Sequence, residues 1–586
     1  MRQWMVAAKK ADFYAIAEKF HVDPVVARII RNREVIGEKN IRIYLGGNLS
    51  DLSDPHQMKD MDRLVEILAQ KIRKQVRIRI IGDYDVDGVT SSHLFLMALR
   101  RVGAKVDVVI PHRIQDGYGL SLHLLQQAKE DGVDTILTCD NGIAAIDEIA
   151  WAKAQKMTVL VTDHHAVPFE EHEGRRTEKK SLADAVVNPH QQDCGYPYKE
   201  LCGAGVAWNV IRVLYENYDM DKREAEDLLD FVAMATVCDV MSLTGENRIL
   251  VKEGLKRIRH TKNIGLQALM QACNVQPENI SAYHFGYVLG PCVNATGRLD
   301  TARHALRLFE TGQETEAEEI ARDLVDLNQE RKELTLQGVE MAKKLCEEGG
   351  YENDPVLVLF LPDVHESIAG LIAGRIREMY NRPVFVLTRG EEGVKGSGRS
   401  TENYSMYENM CGCAELFTKF GGHPMAAGLS LPEENVEKFR RKINENCPLT
   451  VEEVCPDIHI DMAMPVGYAS TELVHQFALL EPFGKDNPSP LFADRNLSIS
   501  RMWVIGKNRN VLRMSVLSEY GQPVPVIFFG DVEMLFAYFT EKFGQKEVEN
   551  ALHGRKNRIL FSMVYTAKID FYQGNENLQL EMKYYR

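Results

Sequence analysis

No CxxC pair occurs among the eleven cysteines, which are scattered and odd in number; Cys411 and Cys413 form a lone CxC. That pattern argues against a thiolate zinc site and against a disulfide framework, and for reduced, mostly buried thiols. No apolar run approaches the length that spans a bilayer. The opening stretch, MRQWMVAAKKADFY, has a short apolar patch broken by Lys9, Lys10 and Asp12, too short for a secretory signal. A cytoplasmic chain with no membrane partner is therefore expected. Basic residues are in deficit, 70 Lys and Arg against 84 Asp and Glu, for a net charge of −14. Such a balance disfavours nonspecific coating of nucleic acid, which Lys and Arg drive. It still permits a carboxylate metal site beside a local basic groove. A Walker A sequence is missing, so nucleotide-driven work is not indicated. Tandem repeats and low-complexity tracts are missing as well.

What is present is length and alternation. A chain of 586 residues exceeds what one core holds, and about two to four domains are expected. From Val76 strand and helix patterns alternate. VRIRIIG (Val76–Gly82), KVDVVIP (Lys105–Pro111), TILTC (Thr135–Cys139), TVLVT (Thr158–Thr162) and ADAVVNP (Ala183–Pro189) read as strands, most of them separated by helical patterns. This predicts an α/β fold with a parallel sheet. Residues 201–310 read as mainly helical. The stretch Glu314–Glu348 predicts one long helix, with Ile320, Leu324, Leu327, Leu334, Met341 and Leu345 on a stripe that Arg331 and Gly338 interrupt. Such a helix bridges two domains or packs on one. A second, smaller α/β unit begins at DPVLVLFLP (Asp354–Pro362). Beyond about Cys455, short apolar segments between turns predict a small all-β domain. The expected divisions are 1–75, an N-terminal helical or extended segment; 76–310, an α/β domain with a helical extension; 311–350, a connecting helix; 351–450; and 455–586.

The chemistry concentrates in four segments. GDYDVDG (Gly82–Gly88) places Asp83, Asp85 and Asp87 within five residues, and in an extended segment alternate side chains face the same way. Their mutual repulsion raises their pKa values unless a cation removes it. An EF-hand loop also opens D-x-D-x-D-G, but it needs a Glu at position 12 and a preceding helix. Here Leu94 holds that position and a strand precedes. TCDNG puts Asp140 after the third strand, and VTDHHAVP puts Asp163, His164 and His165 after the fourth. In ATVCDVM, Asp239 follows an apolar run. Three of the four groups fall at carboxyl ends of parallel strands, the edge where open α/β sheets bind ligands. Carboxylates with imidazole and no thiolate favour Mn²⁺ or Mg²⁺. Five or more such ligands suffice for two ions, which suits phosphoryl transfer.

These segments, in this order, resemble the DHH phosphoesterase superfamily, Asp163–His164–His165 being the name-giving triplet. Within it the chain is similar to the RecJ family of single-strand-specific exonucleases, over most of its length from about residue 40. Further motifs carry the resemblance: RIQDGYGLS (Arg113–Ser121), VNATGRLDTA (Val293–Ala302), GSGRS (Gly396–Ser400), GGHPMAAG (Gly421–Gly428) and LEPFGKDNPSPLF (Leu480–Phe492). The resemblance implies a DHH domain with a parallel sheet, a linking helix, a DHH-associated α/β domain and a C-terminal OB-fold that binds nucleic acid. It implies that Asp85, Asp87, Asp140, His164 and Asp239 ligate Mn²⁺ or Mg²⁺, two ions in all. Asp83 supports that shell, and His165 contacts the scissile phosphate. Asp83, Asp140, His164 and His165 form the catalytic group. Arg298, Arg375, Ser397, Arg399, Gly421, Gly422 and His423 grip the phosphates of the strand end. On the OB-like domain, Arg495, Arg501, Lys507, Arg509 and Arg513 are candidates for the incoming strand.

The implied activity is 5′-to-3′ hydrolysis of single-stranded DNA to mononucleotides, in repair and recombination. A monomer is expected, with a helicase and a single-strand-binding protein as partners. Three departures touch the substrate side. Val364 and Ser367 replace a family Trp and Gly in VHESIAGLIAGR, where His365 is kept and Arg375 matches a family Arg. Cys292 stands in PCVNATGR where PRINAAGR is usual. Two other readings are a DHH phosphodiesterase of short oligonucleotides or cyclic dinucleotides, and a non-catalytic strand-binding scaffold. The first lacks an OB-like tail and the second tends to lose metal ligands.

Overall fold

The computed structural model describes residues 3–113, 116–117, 119–172, 175–351, 353–390, 393–454, 457–506, 510–572 and 574–586. The chain divides into two compact units, Leu52–Met241 with Ile249–Pro456, and Gln3–Asp51 with Ser242–Arg248 and Asp457–Arg586. The expected segment 1–75 is thus shared between them. Helix Pro24–Asn32 buries Val25, Val26, Ile29 and Ile30 in the same core as the C-terminal strands. Helix Met61–Arg73 instead buries Met61, Leu64, Leu68 and Ile72 within the first unit.

The first unit opens on five parallel strands: β1 (Arg77–Ile81), β2 (Lys105–Val109), β3 (Thr135–Cys139), β4 (Thr158–Thr162) and β5 (Ala185–Val187). Their order is β2-β1-β3-β4-β5. Helix α1 (Val86–Arg101) connects β1 to β2. A parallel sheet covered on both faces needs nearly continuous apolar strands, and β3 is buried at every residue. Arg79, the buried cation of β1, is held by Asp107 at 2.7 Å and Asp131 at 2.8 Å. Helices α2 (Gly203–Asn217), α3 (Leu229–Cys238) and α4 (Gly290–Leu299) follow, then α5 (Glu314–Glu348).

Helix α5 has the bounds read from the sequence, and it bridges. Its first half buries Ala317, Ile320 and Leu324, and Asn328 donates to Cys292 Sγ on α4 at 3.3 Å. Its second half puts Val339, Ala342 and Cys346 into the core of a second sheet. Gly338, read as an interruption, lies on the buried face: a β-carbon there would meet Ile372 Cδ1 at 2.2 Å. Met341, read as part of the stripe, is exposed. The second sheet holds β6 (Leu357–Phe360), β7 (Val384–Arg389), β8 (Val394–Arg399), β9 (Lys419–His423) and β10 (Ala426–Leu431), in the order β9-β10-β8-β7-β6. Helix α6 (Glu366–Tyr380) packs on it.

In the second unit, strands Phe492–Ile505, Val511–Leu517, Pro523–Phe529, Asn575–Tyr585 and Leu560–Tyr572 pair in that order, and the first also pairs with the last. The sheet therefore closes into a five-stranded barrel. Met464, Phe492, Met502, Phe539 and Tyr565 fill the shared core. Arg248 is 2% exposed in this unit and donates to the carbonyls of Tyr44, Leu479 and Leu480. Among the described residues no helix is long and apolar enough to cross a membrane.

Candidate metal centre and phosphate cleft

The acidic turn after β1 is not extended, as the sequence reading supposed. Asp83 closes the strand end, Asp85 is the N-cap of α1 and Asp87 sits in its first turn. The cap is real: Asp85 Oδ1 accepts from Gly88 N at 3.0 Å. The carboxylates converge because a strand end and a helix start meet there. A second helix start joins them. Gly203 N and Ala204 N, at the head of α2, donate to Asp87 Oδ2 and Oδ1 at 2.6 and 2.7 Å. Gly203 lies so near β3 that a β-carbon would stand 2.6 Å from Asp140 Cβ. The sequence reading missed this clamp; the signal for it was the small-residue run Gly203–Ala204–Gly205 opening a helix.

Asp140 follows β3 with φ +60°, a left-handed conformation that few non-glycine residues adopt. Such a kink turns the carboxylate back over the sheet edge. His164 Nε2 lies 3.1 Å from Asp140 Oδ1, 3.6 Å from Asp239 Oδ2 and 3.7 Å from Asp87 Oδ2. Asp239 arrives as the C-cap of α3. Three groups have ligand atoms all within 4.8 Å of one another: Asp83–Asp85–Asp140, Asp87–His164–Asp239 and Asp140–His164–His165.

Asp163 belongs to none of these three groups and organises them through hydrogen bonds. Its Oδ1 accepts from His164 N at 2.7 Å, His165 N at 3.1 Å and His165 Nδ1 at 2.8 Å, and its Oδ2 accepts from Ile143 N at 2.8 Å. No role was assigned to it from sequence, although it stands first in the triplet.

Electrostatics follow from burial. Burial, and then the charge of Asp85, pushes Asp83 well above the usual carboxylate range. Burial and Asp87 push Asp85 up, and burial followed by Asp87, Asp85, Asp239 and Asp83 pushes Asp140 well up. Burial alone would also raise Asp163, but the bond from His165 and the charges of both histidines outweigh it and leave Asp163 low. Burial opposes protonation of His165, yet Asp163, Asp239 and Asp87 lift it to about 9. Burial depresses His164. The arrangement fits a hard divalent cation. Asp83 Oδ1 is buried without a hydrogen-bond partner among the described residues. The ligand set is oxygen with imidazole, and burial holds the nearby Cys139 thiol up at about 12, so no thiolate competes.

A second cluster has the opposite sign. Arg298, on α4, donates to the carbonyl of Ser367 at 2.7 Å. Arg399, on β8, donates to Gly398 O at 2.7 Å and Ser397 Oγ at 3.3 Å. Arg113 lies over the Tyr84 ring, 4.9 Å from its centroid. Burial, then the charges of Arg113, Arg331 and Arg399, depresses Arg298 to about 10; burial and Arg113 depress Arg399. A cavity of ≈ 470 Å³ is lined by Tyr84, Arg113, Ser367, Ser397, Gly421 and others. Gly422 and His423, at the end of β9, are exposed. GSGRS and GGHPMAAG lie on antiparallel strands, with a two-residue turn at Pro424 and Met425. Arg375 stands apart from this group, exposed on α6 and 3.5 Å from Glu378. The departures are placed too. Val364 is in an apolar core. Ser367 serves Arg298 through its carbonyl, which any residue supplies. Cys292 is buried beside Cys273, 3.8 Å between sulfurs. In the barrel unit Arg495, Arg501 and Arg513 are exposed, and Arg513 lines a ≈ 310 Å³ cavity with Trp503. Lys507 and Arg509, with Ile114, Gln115 and Tyr118 of the Arg113–Ser121 loop, lie outside the described residues.

Three family models match: the DHH family N-terminal domain over residues 77–236, the DHHA1 domain over 353–447 and the RecJ OB domain over 460–584. The single-stranded-DNA-specific exonuclease RecJ of Haemophilus influenzae is 32% identical over 96% of this chain and 96% of its own length. The chain belongs to the RecJ family of single-stranded-DNA-specific exonucleases. The RecJ of Bacillus subtilis is 33% identical over 87% of this chain, which spans 63% of that longer protein. The crystal structure of Thermus thermophilus RecJ in complex with Mn²⁺ matches with a TM-score of 0.81 at 25% identity, covering 100% of this chain and 79% of that one. Asp83, Asp85, Asp87, Asp140, the Asp163–His165 triplet and Arg113 fall within the matched DHH segment, Arg399 within the matched DHHA1 segment, and Asp239 and Arg298 between the two.

Proposed function

We propose that the chain hydrolyses single-stranded DNA from its 5′ end, releasing mononucleotides, with a divalent cation as cofactor. The observation that carries this reading is that one unit holds two clusters of opposite sign, carboxylates and imidazoles with ligand atoms within 4.8 Å of one another, and half-buried arginines of which Arg113 lines a ≈ 470 Å³ cavity. Asp85, Asp87, Asp140, His164 and Asp239 would hold two Mn²⁺ or Mg²⁺ ions, with Asp83 beside them. Such ions supply Lewis acidity and an acidified water when bound.

The chain's own groups do the rest. Asp163 accepts from His165 Nδ1, which fixes the ring and leaves its other edge to face a non-bridging phosphate oxygen. Arg298, Arg399 and Ser397 take the terminal phosphate and set which bond lies over the acids. Their fork geometry suits phosphate, and their mutual repulsion is relieved by it. The 5′-to-3′ direction rests on the family resemblance. So do a role in repair and recombination, a monomeric state, a cytoplasmic location and partnership with a helicase and a single-strand-binding protein. The exposed arginines and Trp503 of the barrel are proposed to hold the incoming strand.

The test is a long single strand labelled at either end, incubated with Mn²⁺, Mg²⁺ or EDTA. Mononucleotide release from the 5′ label, with metal alone, is expected. Cleavage confined to dinucleotides, or indifferent to EDTA, refutes the reading.

A further inference from the structure

One exposed aromatic pair belongs to neither cluster. The segment before α4 forms a short helix, Ala282–His284, and a π-helical turn, Phe285–Leu289. Turns of that kind recur at functional sites because the extra residue re-aims side chains. Here Phe285 and Leu289 point inward at 0% exposure, while Tyr283 and Tyr287 are 62% and 71% exposed. The two outer rings stack on each other, centroids 5.1 Å apart and planes inclined by 24°.

Both ends of this segment are tied into the site. Cys238 Sγ donates to Phe285 O at 3.3 Å, and Cys238 immediately precedes Asp239. Helix α4 continues from the turn without a break. It carries Asn294, whose Oδ1 accepts from Val86 N in the acidic turn at 3.1 Å, and then Arg298. Val240, next to Asp239, is 63% exposed and sits at φ +55°, unusual for a β-branched residue. An exposed aromatic face thus sits on a segment bonded to the residue before Asp239 and continuous with the helix that carries Arg298.

We propose that Tyr283 and Tyr287 form a stacking platform for bases of the DNA strand lying 3′ of the scissile phosphate. The inference rests on the exonuclease reading above: Arg298, near the end of α4, holds the 5′ end, and the tyrosine pair stands at the opposite end of the same helical run, toward which the 3′ continuation leads. Near-parallel exposed rings offer stacking faces that any base matches, which suits an enzyme that degrades every sequence.

The experiment compares the full chain with Tyr283→Ala/Tyr287→Ala and Tyr283→Phe/Tyr287→Phe. Substrates are a 5′-phosphorylated single strand of about twenty nucleotides and a 5′-phosphorylated dinucleotide. The double alanine variant is expected to raise KM for the long strand about tenfold, with a loss several times smaller on the dinucleotide, whereas the phenylalanine variant stays within about twofold of the parent. In a metal-free binding titration, 2-aminopurine placed a few nucleotides from the 5′ end should be quenched by the parent and the phenylalanine variant and not by the alanine variant. Equal losses on both substrates, or an unchanged KM, or quenching that survives alanine, overturns the platform. A parent chain inactive on the long strand overturns the exonuclease reading and the platform with it; activity in the parent isolates the platform as the point under test.

Discussion

The two sheets of the first unit gather opposite charges by opposite means. The parallel sheet uses its edge: acids stand on the turns after β1, β3 and β4, and the first of these turns runs directly into α1. The mixed sheet uses a strand body: Ser397 and Arg399 alternate along β8 and so share one face. The edge can bend, as Asp140 at φ +60° does, and it has helix N-termini to hold a carboxylate such as Asp87. The strand face cannot bend, so the partner cation Arg298 is brought to it by α4 and anchored on the carbonyl of Ser367. What the two share is incompleteness. Each crowds like charges that disfavour one another, and each is relieved by what the other repels.

Four experiments bear on that contrast. Asp140→Ala removes the carboxylate common to two of the three ligand groups. It is expected to lower kcat/KM by about 10⁴-fold, some 5 kcal/mol of transition-state stabilisation. Near-normal turnover would place the chemistry elsewhere. Next, Mn²⁺ at about a hundredfold its Kd should stabilise the chain by about 2.7 kcal/mol, a rise of a few degrees in Tm. In Asp140→Asn the metal-free Tm should rise slightly while the Mn²⁺ increment vanishes; an increment that persists breaks the view of the acids as a cluster awaiting a cation. Third, Arg399→Ala should raise KM about thirtyfold, some 2 kcal/mol, for a 5′-phosphorylated strand and much less for a 5′-hydroxyl strand. Equal effects on the two ends would detach the arginines from the terminal phosphate.

The smallest effect concerns Asp230, a buried acid outside both clusters. Thr261 and the Phe231 amide donate to it at 2.6 and 2.8 Å, and burial lifts it from 3.8 to about 6. Its folded pKa lies above its unfolded one, so between about pH 4 and pH 6 the unfolded chain holds fewer protons. Stability contributed by this group is therefore full below pH 4 and lost as pH rises through 6. Asp230→Asn should flatten that slope in urea melts and recover about 1–2 kcal/mol at pH 7. An unchanged slope would show that burial of acids costs nothing here, and would weaken the same argument for the metal cluster.

The parallel strands were legible as short apolar runs bounded by turns, and the long helix because the apolar pattern of α5 has a period near 3.6. The acids were legible as a group because each follows a strand or helix end. Their convergence was misread as an extended run; the N-cap at Asp85 was decided by the chain turning directly into α1. Asp163 went unassigned because its role is a set of hydrogen bonds inward, which residue type alone does not specify. Gly338 read as a fault in the stripe, since its value depends on Ile372 across a helix pair.

The sequence by itself determined the class of chemistry. Three carboxylates in five residues, two histidines and a second acid after consecutive strands admit few uses besides a hard cation, because nothing else offsets their repulsion. It determined the order of domains as well, through changes of apolar period along the chain. Only the tertiary structure decided which part of the N-terminal segment joins the barrel unit, since burial of Val25 and Ile29 against distant strands leaves no local trace. It alone decided that Gly203 and Ala204 hold Asp87. It also aimed Tyr283 and Tyr287 outward as a stacked pair while Phe285 and Leu289 turned inward, since side-chain direction there depends on what the segment packs against.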